Sequence, residues 1–80
     1  MSIKCGMIVK SVAGRDKDRF YLVVKIEGNR VFIVDGKIRK LSSLKAKNPL
    51  HLKNTRNIVD VKEFDTNKKI RKLLHKFNYE

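Results

Sequence analysis

Phe20-Tyr21-Leu22-Val23-Val24-Lys25-Ile26-Glu27-Gly28-Asn29-Arg30-Val31-Phe32-Ile33-Val34-Asp35-Gly36 carries the pattern from which the fold class follows. Two apolar runs, 20–26 and 31–34, are rich in β-branched and aromatic side chains, and each stops at a turn pair, Gly28-Asn29 and Asp35-Gly36. Such side chains fit a pleated surface and such pairs interrupt it. Asp-Gly between apolar runs is a hairpin signal, because a type I′ turn needs positive φ at both central residues. Phe20-Tyr21-Leu22-Val23-Val24 and Val31-Phe32-Ile33-Val34 are also apolar on each alternating face, whereas a half-exposed strand alternates with polar residues. Something must cover the outer face of this hairpin, and alternation leaves open which set points inward.

Working outward, residues 7–12 form another short apolar run, stopped at Gly14, and residues 37–41 return after Asp35-Gly36 as the next strand. Leu50 and Leu52 alternate around His51 and supply a fifth. Residues 54–57 read as a loop, and Ile58, Val59 and Val61 as either a short strand or a packed connector. Strands joined by short turns describe a meander that closes into a small barrel. The cover for its outer face is the C-terminus. Asp65 or Thr66 can cap a helix, and Ile70, Leu73, Leu74 and Phe77 then recur at i, i+3, i+4, i+7, an apolar stripe at helical period. The division expected is a barrel over residues 1–56 and a connector with a packed helix over 57–80.

Eighty residues make one domain with a small core. Twenty Lys and Arg face eight Asp and Glu, a net charge of +12. Such an excess repels itself in the compact state, and a polyanion relieves it, with release of counterions from a phosphate backbone. The charge is uneven. Residues 36–59 contain no acid but hold Lys37, Arg39, Lys40, Lys45, Lys47, Lys53, Arg56 and His51. The first loop adds Arg15, Lys17 and Arg19, partly offset by Asp16 and Asp18. Loops at one end of a small barrel come close together, so loops 14–18 and 42–48 are expected to form one basic rim, with Ser42, Ser43 and Asn48 as neutral donors to phosphate. Lys68 and Lys69 stand in the first helical turn, against the macrodipole.

Other chemistries find little here. Cys5 cannot form a disulfide within the chain, and with His51 and His75 it shows no zinc-ligand spacing, so it reads as a small core hydrophobe and no metal or cofactor is expected. Asp60, Glu63 and Asp65 are the one acidic cluster, and they lie where capping explains them; no nucleophile set or nucleotide-binding glycine motif is present, so no enzyme is expected. No apolar run approaches the roughly 20 residues of a membrane span, and the first residues lack a signal-peptide core, which points to the cytoplasm and away from membranes. Of six aromatics, all but Tyr79 sit in apolar contexts, so the expected mode is recognition of folded RNA by backbone and shape rather than base stacking.

The segment from Gly6 to Val24, centred on Gly14 and its basic–acidic–Lys loop, resembles a KOW motif. With Asp35-Gly36-Lys37-Ile38-Arg39-Lys40-Leu41 and Leu50-His51-Leu52-Lys53-Asn54-Thr55, it resembles small bacterial KOW-domain RNA-binding proteins related to the ribosomal protein family L14e. The resemblance covers roughly residues 6–56. It implies a five-stranded SH3-like barrel, to which the helical stripe adds a C-terminal amphipathic helix. It further implies an RNA-binding protein that is ribosomal or ribosome-associated, whose partners are rRNA in the ribosome or other structured RNA; the chain is expected to be a monomer when free. On this resemblance Arg15 and Lys17 are phosphate contacts, and Arg39 and Lys40 are exposed on the other half of the surface. Asp18 stands where the motif carries a second glycine, and adds negative charge beside the expected RNA contact. The competing readings are a small DNA-bending protein, which needs an exposed apolar wedge such as Ile8, Val12 or Val31, and a KOW protein-interaction module of transcription or translation.

Overall fold

The computed structural model describes residues 3–79; residues 1 and 2 of the expected barrel unit, and residue 80, lie outside them. The chain is mainly β. Five antiparallel strands, β1 (Met7–Ser11), β2 (Phe20–Glu27), β3 (Arg30–Val34), β4 (Lys45–Lys47) and β5 (Leu52–Ile58), form one sheet in the order β4-β3-β2-β1-β5, and α1 (Asn67–Asn78) follows. The sheet is open. β4 and β5 are its edges, so the barrel is not closed by hydrogen bonds. The physical reason lies in β4, only three residues long, after which the chain enters a 3-10 turn at Pro49–His51 instead of prolonging the edge.

The doubly apolar strands have two cores to fill. Tyr21, Val23, Val31 and Ile33 face one side with Met7, Val9 and Leu52. Leu22 and Val34 face the other with Ile8, against Ile70 and Leu74 of α1, and Leu73 and Phe77 pack at the border of that cluster. The helix thus covers the second face, as the stripe required. A bulge between Val23 and Lys25 explains how β2 serves both cores along its length. One extra residue reverses the alternation, which returns Ile26 to the face of Val23. α1 is also tied at both ends. Asn67 Oδ1 accepts from the Leu41 N–H at 2.9 Å, and Asn78 Oδ1 accepts from the Phe20 N–H at 2.9 Å. Thr66 is the N-cap, its hydroxyl accepting from the Lys69 N–H at 3.2 Å. Lys69 meets Asp65 at 3.0 Å, so this first-turn cation is compensated.

Several expectations are corrected. Residues 37–41 are not a strand. Asp35 Oδ1 accepts from the N–H groups of Lys37 (2.9 Å) and Arg39 (2.8 Å), while the Arg39 carbonyl accepts from Asp35 (2.8 Å) and Gly36 (3.1 Å). The carboxylate consumes the donors that a ladder would have used, and no two-residue hairpin forms. The fourth strand is instead Lys45–Lys47, whose Lys-Ala-Lys carries no apolar alternation. Leu50 lies in the 3-10 turn and is 83% exposed. Residues 54–57 belong to β5, as a bulge opposite Ile8 and Val9 in which Arg56 takes a φ of +68° and Asn54 Oδ1 accepts from the Arg56 N–H at 2.7 Å. Cys5 is exposed rather than a core residue.

Candidate nucleic-acid interface

Loop 12–19, loop 35–44 and β4 meet at one end of the sheet, and two carboxylates join them. Asp35, 3% exposed, lies 3.3 Å from Arg19 of the first loop. Asp16 of the first loop lies 3.9 Å from both Arg39 of the second loop and Lys47 of β4. Lys47 Nζ also donates to the Ala13 carbonyl at 3.4 Å. The loops therefore exchange ion pairs reciprocally: each supplies a carboxylate to an arginine of the other. Loop 12–19 is further closed on itself, with Asp18 N–H to the Ser11 carbonyl at 2.7 Å and Arg19 N–H to the Asp16 carbonyl at 3.0 Å.

This network divides the expected site residues by role. Arg19, Arg39 and Lys47 face acids and hold the loops; Arg39 is half-buried, not exposed as expected. Arg15, Lys17 and Lys40 are exposed, with no ion-pair partner among the described residues. Lys37 is exposed with its ammonium 3.4 Å from the Tyr79 hydroxyl. His51 adjoins the same end, because its carbonyl accepts from the Val12 N–H at 2.9 Å. Lys53 pairs in register with Lys10 on the β1–β5 surface. Arg56 stands apart in the β5 bulge, and Lys45 is half-buried opposite Ile33. Asn48, expected as a donor to phosphate, caps the 3-10 turn by accepting from the Leu50 N–H at 2.9 Å. The structure thus brings Arg15, Lys17, Arg19, Lys37, Arg39, Lys40 and Lys47 to one region, and leaves Lys45, Lys53 and Arg56 on the sheet edges.

Four residues of this region escaped the sequence reading. Asp16 looked like a mere offset to its basic neighbours, and Asp35 like a turn residue. Tyr21 is buried beside Asp16, and burial first, then the carboxylate, push its phenol up to about 12. Tyr79 lies on the far side of the sequence, and its one signal was that it alone among the aromatics lacked an apolar context. The Arg19 guanidinium first, and the Lys37 ammonium second, hold its phenol below the usual range. Asp60, of the acidic cluster, caps the 3-10 turn at Val61–Glu63 through the Lys62 N–H at 3.0 Å. Among the described residues no group of three His, Cys, Asp or Glu side chains gathers as a metal site, and no helix is long and apolar enough to cross a membrane. No protein-family model matches the chain, and no curated protein matches it in sequence.

Proposed function

We propose that the chain is an RNA-binding protein that works on or near the ribosome and contacts structured RNA through phosphate-directed lysines and arginines at this loop end. The observation that carries the reading is the division of labour just described. Buried or half-buried carboxylates fix two basic loops against each other, and the cations Arg15, Lys17 and Lys40, unpaired among the described residues, face water on the loops so fixed. Cations on a held scaffold meet a phosphate backbone with little ordering cost, since affinity is lost chiefly to the freezing of mobile groups. Two further facts support it. Asp18, standing where the resemblance expects glycine, has a φ of +71°, the left-handed conformation a glycine would take. Two of the three wedge residues that DNA bending would use, Ile8 and Val31, are buried.

The test is the triple variant Arg15→Gln, Lys17→Gln, Lys40→Gln. With all three side chains exposed and unpaired, its unfolding temperature should stay within a few degrees of the parent. Its affinity for structured rRNA fragments, and its co-sedimentation with ribosomes at low salt, should fall at least about tenfold. Unchanged RNA affinity would remove the interface, and stronger binding to duplex DNA than to rRNA at equal salt would favour the DNA reading.

A further inference from the structure

A cleft of about 370 Å³ opens between the C-terminal half of α1 and the loop around Asp35. Three cations from three separate elements border it: Arg19 at the end of the first loop, Lys37 on the second, and Arg71 on α1. The carboxylate among its described lining residues, Asp35, is already committed, with Oδ2 to Arg19 at 3.3 Å and Oδ1 to the two backbone N–H groups of its own loop. A guanidinium has five donors, so Arg19 keeps most of its own for another acceptor. The loop reaches this position because Gly36 lies directly on the helix backbone: a Cβ there would stand 2.3 Å from the Asn67 carbonyl oxygen and 3.1 Å from the Arg71 nitrogen. That close approach sets Lys37 and Arg71 on the two banks of one cleft.

The walls are not uniformly polar. Leu74 lines the cleft, and the Tyr79 ring, half-exposed, stands at its border with Lys37 Nζ at 5.4 Å and Arg19 Cζ at 5.8 Å from its centroid. An oxyanion would be favoured beside these two cations, and the lowered phenol of Tyr79 reports the same field. Concentrated positive charge next to a planar apolar surface suits a ligand that carries a phosphate and a base together. A volume near the lower end of small-ligand sites suits one such unit and no more.

We propose that this cleft binds a single phosphate-bearing nucleotide unit, its phosphate held by Arg19, Lys37 and Arg71 and its base laid against Tyr79. The unit has two sources, an unstacked nucleotide of a bound RNA or a free mononucleotide, and only the first rests on the function proposed above. The full-length protein is titrated with AMP, with adenosine, and with inorganic phosphate, following backbone amide resonances. A structured RNA is compared with the same RNA carrying one bulged nucleotide. Arg71→Gln and Tyr79→Leu are the variants, since both side chains are exposed and neither pairs with Asp16 or Asp35.

AMP should shift the amides around Lys37, Arg71 and Tyr79 and bind at least about tenfold more tightly than adenosine or phosphate alone, and each variant should lose about tenfold. If RNA is the source, the bulged RNA should bind more tightly than its parent and lose that advantage in both variants. A mononucleotide that binds while the bulge confers nothing assigns the cleft to free nucleotide. The proposal fails if millimolar AMP leaves the cleft amides unmoved and neither variant alters the bulge preference, or if a glutamate-rich peptide competes as well as AMP. Such a failure, with RNA binding still lost in the Arg15, Lys17, Lys40 variant, leaves the loop interface standing.

Discussion

Asp35 and Gly36 are neighbours that make opposite demands. The aspartate needs partners on every side and is nearly inaccessible; the glycine needs the absence of anything beyond its hydrogen. Its φ of +79° already disfavours an L side chain by roughly 1–2 kcal/mol. The Asn67 carbonyl, 2.3 Å from where a Cβ would sit, adds an overlap that only a shift of α1 relieves, and overpacking of this kind costs about 1–3 kcal/mol. Gly36→Ala should therefore destabilise by about 2–5 kcal/mol in total. Gly28, with φ +56° and nothing within 4 Å, supplies the control: Gly28→Ala should cost only about 1 kcal/mol. In a domain of this size each kcal/mol moves the unfolding temperature by about 4–8 °C, so thermal denaturation resolves the two. Equal losses would show that the helix does not rest on Gly36. The Asp-Gly pair was legible as a turn, because local backbone chemistry specifies one. Its second use, a carboxylate buried against Arg19 and a glycine pressed on a helix distant in sequence, was not, because both partners come from elsewhere in the chain.

At the scale of elements, legibility followed the origin of the signal. The stripe Ile70, Leu73, Leu74 and Phe77 announced α1 because amphipathic burial writes its period into the sequence. The first three strands were visible for another reason, runs of β-branched and aromatic residues that stop at glycine-containing turns. β4 was not, since Lys45–Lys47 is held by pairing to β3 and has no apolar pattern of its own. Residues 54–57 looked like a loop because the turn chemistry is real: Asn54 caps Arg56, and the Thr55 hydroxyl donates to the Ile8 carbonyl at 2.7 Å, all inside a bulge of an edge strand. The sites divide likewise. The basic loops could be named from charge density, while their pairing through Asp16 and Asp35 required the fold. The helix offers a direct test of the two-core arrangement. Leu74 is fully buried against Ile8, Leu22 and Val34, so Leu74→Ala should cost about 2–5 kcal/mol. Removing everything after Asp65 should expose those strand residues together and produce aggregation, seen by light scattering. A truncated chain that stays monomeric and melts cooperatively would mean that the sheet does not depend on this cover.

For the whole molecule, the charge of +12 makes opposite predictions for folding and for binding. Like charges compressed into one small domain repel, and the repulsion is screened over about 10 Å at 0.1 M salt. The reciprocal pairs of Asp16 and Asp35 oppose it locally, yet the net +12 already counts both acids, and the pairs lie at 3.3 to 3.9 Å. Raising KCl from 20 to roughly 300 mM should therefore raise the unfolding temperature. The same change should weaken RNA binding, because each neutralised phosphate releases condensed counterions and concentrated salt opposes that release. With Arg15, Lys17, Lys37 and Lys40 as contacts, the logarithm of affinity should fall with the logarithm of salt at a slope of about −3 to −4, and the triple glutamine variant should flatten it by about 2 to 3. Salt that destabilises the fold would show the internal ion pairs to outweigh the repulsion. A flat affinity would mean that these side chains do not neutralise phosphates, whatever else they touch. Only a molecule whose excess charge is a strain when free and a contact when bound moves in both directions at once.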